Sequence, residues 1–178
     1  MNKRYIRKNL AIFIFLVISS LNVGYVIYAA NGSATKNAAS TIQNLTKYEI
    51  DNFFLIRQCY ENVDKPGLIK NDLSLMSEDC ERNIRELSDL ALRYKVQPPV
   101  FKKDYTGFLM EGYAAIRAGL GEAGALKALH TTNTYILKQY RNALDKNLPV
   151  EVKDIIGRIC ETKKRHLQIL EGHINARN

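Results

Sequence analysis

A chain of 178 residues, 46% hydrophobic and 25% charged, is long enough for one compact domain with its own core once a leader is set aside. Four prolines, ten glycines, no tryptophan and no β-branched runs outside the first thirty residues exclude a strand-rich fold and favour helices. The net charge of +8 does not indicate a nucleic-acid partner: Lys3, Arg4, Arg7 and Lys8 account for four of the 26 basic residues, and the 22 that remain face 18 acidic ones in mixed pairs, with no aromatic-interleaved basic stripe.

The first predicted element is a leader over 1–30. A basic segment, MNKRYIRKN, precedes nine unbroken apolar residues from Leu10 to Ile18, the order of a secretory signal. Leu10–Ala30 also runs 21 residues without a charge, about the length of a bilayer-spanning helix, so a cleaved signal and an N-in membrane anchor both remain open. Cleavage after Ala29 or Ala34 would leave Ile27 or Gly32 at the third position back, neither a strong site, and no cysteine follows the apolar stretch to support lipoprotein processing. In either case the positive-inside rule keeps the basic terminus in the cytoplasm and places the rest on the periplasmic side of the inner membrane.

Residues 31–40, NGSATKNAAS, suit a linker, and a helical domain is expected over 41–176. Ile42, Leu45, Glu49, Asn52, Ile56, Cys59 and Val63 recur at helical steps up to the turn at Asp64-Lys65-Pro66-Gly67. A second helix carries Ile69, Leu73, Met76, Cys80, Ile84, Leu87, Ala91 and Tyr94 on one face and closes at Gln97-Pro98-Pro99, giving an antiparallel hairpin. Tyr105, Leu109, Gly112, Ile116 and Leu120 mark a short helix interrupted by Gly119, Gly121 and Gly124. Beyond these glycines come a helix with Leu126, Leu129, Asn133, Ile136, Tyr140 and Leu144, a turn at Asn147-Leu148-Pro149, and a last helix with Val152, Ile156, Ile159, Lys163, His166, Leu170 and His173. Two hairpins with an extra crossover helix make an all-α four-helix bundle.

Gly119-Leu120-Gly121-Glu122-Ala123-Gly124 matches the spacing of a dinucleotide-binding loop, but that loop follows a strand, and here the preceding residues have helical period. Three cysteines, Cys59, Cys80 and Cys160, lack metal-ligand spacing and fall on apolar stripes, where buried reduced thiols are the ordinary reading. His130 lies just off its stripe, and His166 and His173 share the apolar face of the last helix, as histidines at a core edge do. No catalytic constellation emerges. The informative residues are the polar ones on inward stripes, Glu49, Asn52, Asn83, Asn133, Lys163 and His166, because a bundle seam accepts them only if they satisfy one another or bind something.

From Asn44 to about Ile174 the chain resembles a bacterial ferritin-like four-helix-bundle family of unknown function. The resemblance rests on Val63-Asp64-Lys65-Pro66-Gly67-Leu68 at the first turn, Glu86-Leu87 in the second helix, and Phe108 to Gly121 as the crossover helix. Tyr140 to Val152 at the last turn is its most specific stretch. It implies a ferritin-like fold and, in metal-bearing members of that fold, glutamates and Glu-x-x-His pairs around two metal ions. At the matching positions this chain has Cys80-x-x-Asn83, Asn133 and Lys163-x-x-His166, so only Glu49 and His166 keep ligand chemistry. The expectation is therefore a non-enzymatic envelope protein without a cofactor, acting through a protein partner or self-association. The alternative is an iron or manganese protein with a residual site at Glu49 and His166, helped by Glu78, Glu81 or His173.

Overall fold

The computed structural model describes residues 34–63, 67–103, 108–117 and 121–176. The leader over 1–30, with its expected membrane contact at 10–30, and linker residues 31–33 lie outside the described residues. Five helices and no strand occupy them: α1 (34–61), α2 (Leu68–Arg93), α3 (Phe108–Arg117), α4 (Gly121–Leu144) and α5 (Val150–Asn175). None of these helices is long and apolar enough to cross a membrane.

Four long helices bury their apolar stripes against one another. The 26 residues of α2 and of α5 each span about 39 Å. α4 packs extensively on α5, α2 on α5, and the short α3 on α4, while α1 reaches α2 and α4 through Asn52. The core is one cluster of buried side chains drawn from all the helices, including Ile42, Ile56 and Cys59 of α1, Leu73 and Leu87 of α2, Leu109 of α3, Leu126 and Ile136 of α4, and Val152, Ile156 and Leu170 of α5. Each fully buried Leu or Ile contributes about 1.5–3 kcal/mol by leaving water. Among the described residues the expected stripes are the buried faces, with Tyr94, Gly112, Leu144 and His173 half-covered; Tyr105 and Leu120 lie outside the described residues.

Two boundaries differ from expectation. Residues 34–40, read as linker, are helical, and Ala38 is buried in the core. The alanines that make this stretch look featureless are also the best helix formers. The described part of α3 lies within the expected Tyr105–Leu120 stretch, whose two ends lie outside the described residues. α4 opens at Gly121, in the left-handed region at φ 67°, and continues through Gly124, so these two glycines begin the helix instead of preceding it.

The end of α2 shows how the chain turns. Val96 N–H donates to the Ala91 carbonyl at 3.0 Å and Lys95 N–H to that of Leu92 at 3.0 Å, the paired bonds of a Schellman cap, with Lys95 at φ 57° where glycine is usual. The segment beyond it lays Phe101 against Phe53 and Phe54 of α1, ring centroids 5.3 Å apart in each pair. Those two phenylalanines, with the fully buried Leu55, give α1 a wider core contact than its stripe implies.

Candidate functional site

Helical spacing brings the polar stripe residues to one level of the bundle. Glu49 and Asn52 lie one turn apart on α1, as do Cys80 and Asn83 on α2 and Lys163 and His166 on α5, while Asn133 and Tyr140 lie two turns apart on α4. Glu49, Asn52, Asn133, Lys163 and His166 have no exposure to solvent, and Asn83 is also buried. All six polar residues expected in the interior are found there.

Glu49 is the hub. Its Oε2 accepts from Lys163 Nζ at 2.7 Å and from Asn83 Nδ2 at 3.2 Å, and its Oε1 accepts from the Tyr140 hydroxyl at 2.9 Å. Burial would push the Lys163 ammonium down, but Cys80 and Glu49 beside it outweigh that effect and hold it above the usual lysine range. The Tyr140 phenol is pushed far up by burial and by the Glu49 charge, so it stays a donor.

A second group adjoins the first. Asn52 and Asn133 exchange amide hydrogen bonds at 3.2 and 3.1 Å, and Asn133 also donates to the Leu129 carbonyl at 3.0 Å. Cys80 Sγ accepts from Lys163 Nζ at 3.3 Å and from Asn52 Nδ2 at 3.5 Å. Burial pushes the Cys80 thiol up to about 12, which keeps it protonated. Cys59 and Cys160 are likewise free and buried.

His166 belongs to a third group, not to Glu49. Its Nε2 lies 2.9 Å from Asp79 Oδ2, which also accepts from Arg165 at 2.7 Å, while Arg82 bonds the other oxygen. Burial, then the Lys163 charge, lowers His166 to about 3, so the ring is neutral, Nε2 carries the proton that Asp79 accepts, and Nδ1 is buried without a partner.

The residues do not fit a dinuclear metal centre. Both oxygens of Glu49 already accept from proton-bearing donors, and one donor is a cation at 2.7 Å that would repel a metal ion. The proposed auxiliary ligands correct the expectation further: Glu78 and Glu81 are exposed, because they sit on the outer face of α2, and His173 pairs with Asp72 at 2.6 Å near the bundle end. Among the described residues no three or more His, Cys, Asp or Glu side chains converge as a metal site would require.

Three participants escape a reading by stripes. Cys80 and Tyr140 look like apolar stripe members, though a tyrosine buried opposite a glutamate has an evident partner. Asp79 sits beside Cys80 in sequence, and its signal is a carboxylate three residues past Met76, on the inward side of α2, with Arg82 a turn away. No family model matches the chain, and no curated protein is significantly similar to it.

Proposed function

We propose that this is a non-enzymatic, envelope-located, ferritin-like helical-bundle protein that acts through contact with a partner protein or a second copy of itself, and that a lysine ammonium stands where related bundles hold metal. The observation that carries the reading is the Lys163–Glu49 ion pair at 2.7 Å with no solvent exposure on either side chain. It supplies internally the positive charge that buried carboxylates otherwise take from iron or manganese. The polar layer is then structural, and function falls to the surface.

The leader supports an envelope location, since a basic segment followed by an apolar stretch is how a chain is sent to, or held in, a membrane. On the surface, Val100 and Phe101 stand 72% and 52% exposed, and Phe101 packs beside Phe53 and Phe54, an apolar patch suited to protein contact.

The competing reading, a residual iron or manganese site around Glu49 and His166, is favoured by the bare Nδ1 of His166, whose opposite nitrogen is held by Asp79, as a carboxylate often holds the far nitrogen of a metal-binding histidine. Metal content separates the two. The full chain is loaded with ferrous iron or manganese without oxygen, desalted, and assayed by elemental mass spectrometry beside His166→Ala. The proposal expects no retained metal in either protein. Near-stoichiometric metal on the parent, lost in the variant, overturns it.

A further inference from the structure

Lys163 and Cys80 present a pairing that the ion pair alone does not require. The amine nitrogen lies 3.3 Å from the sulfur, both side chains are wholly buried, and Asn52 fixes Sγ from another direction at 3.5 Å. Glu49 sits 2.7 Å from the same nitrogen, placed to accept its proton. A nucleophilic nitrogen, an oxidisable sulfur and a proton acceptor thus share one rigid site, where proximity replaces the improbable encounter of two side chains.

We propose that Lys163 and Cys80 form a modification site, at which hydrogen peroxide drives formation of a covalent N–O–S link between α2 and α5. The chemistry takes two equivalents of peroxide. In the first, Cys80 sulfur attacks a peroxide oxygen; the S–O bond forms, the O–O bond breaks, and the thiol proton leaves with the departing hydroxide as water, giving a sulfenic acid. Lys163 passes one ammonium proton to Glu49, and its amine attacks a second peroxide; the N–O bond forms, the O–O bond breaks, and an amine proton leaves as part of a second water. The hydroxylamine oxygen then attacks the sulfenic sulfur, the S–OH bond breaks, and the hydroxylamine proton leaves with it as a third water.

Sulfur and nitrogen are oxidised by two electrons each, and two peroxides are reduced. The net charge of the site is unchanged, because the charged Lys163–Glu49 pair becomes a neutral link and a neutral Glu49 acid. A 3.3 Å separation needs less closure for one intervening oxygen than for a direct N–S bond. Because burial keeps the Cys80 thiol protonated and the Glu49 pairing keeps Lys163 as an ammonium, both oxidation steps are slow, and the link records sustained exposure more than a brief pulse.

The test treats the purified full chain with hydrogen peroxide, folded and in parallel unfolded in urea, blocks remaining thiols, digests, and reads the peptides by mass spectrometry. The expected product joins the Cys80 and Lys163 peptides with a gain of one oxygen and a loss of two hydrogens, about 14 Da over their sum. It forms only in the folded sample and is reversed by dithiothreitol. Recovery of Cys80 as thiol or sulfinic acid with Lys163 unmodified overturns the proposal. So does a direct N–S link, with a loss of about 2 Da, or equal yield in urea.

Discussion

His166 and Lys163 stand one turn apart on α5, and the charge of the second helps to keep the first neutral. In an unfolded chain a histidine takes up its proton near pH 6.5, whereas in the fold His166 resists protonation down to about 3. Below 6.5 the unfolded state therefore binds a proton that the native state refuses. The stability present above that pH is lost as pH falls toward 3, at no more than about 1.4 kcal/mol per pH unit. Denaturant titrations between about pH 7 and pH 4 should show this slope in the parent and a shallower one in His166→Gln; equal slopes would remove His166 from the account. The residue identities were legible wherever a polar side chain interrupts an apolar stripe, as at Glu49, Asn52 and Lys163. Their partners were not, because stripe position gives the depth of a side chain and not the direction in which its polar atom points. Asp79, adjoining a stripe, and Tyr140, counted as apolar, show both sides of that limit.

Elements are governed by their faces and ends. The faces were readable, since three- and four-residue steps in α2 and α5 leave little freedom over which side meets the core. The ends were less so. At 34–40 composition suggests a linker while alanine propensity and the buried Ala38 extend α1, and at Gly121 a glycine that seems to break a helix starts one. Three substitutions test the end and packing geometry. Lys95→Gly relieves a left-handed backbone at the α2 cap and should raise stability by about 1 kcal/mol. Gly112→Ala places a methyl against the Thr132 hydroxyl, which is held by the Ala128 carbonyl at 2.9 Å, so α3 must shift from α4 at a cost of about 1–3 kcal/mol. Gly157→Ala, with open space around it, should instead gain about 1 kcal/mol. Thermal melting reads all three, and a Gly112→Ala protein as stable as the parent would contradict the close approach of the two helices.

Across the whole molecule, the polar layer is what makes the four long helices one object. Glu49, Asn83, Tyr140 and Lys163 come from α1, α2, α4 and α5, so a slip of any helix by a turn would strand a buried charge or donor. An all-α bundle was legible from the number and spacing of its stripes. The sequence places a lysine and a glutamate on inward faces, while their pairing and the contact of Lys163 with Cys80 required three-dimensional geometry. The most direct measurement is a double-mutant cycle of Glu49→Leu and Lys163→Met by chemical denaturation. Removing Lys163 alone strands a buried carboxylate and should cost about 3–5 kcal/mol, while the double substitution should cost clearly less than Lys163→Met alone. Strictly additive effects, or a Lys163→Met protein as stable as the parent, would contradict the claim that this pair holds the centre of the bundle.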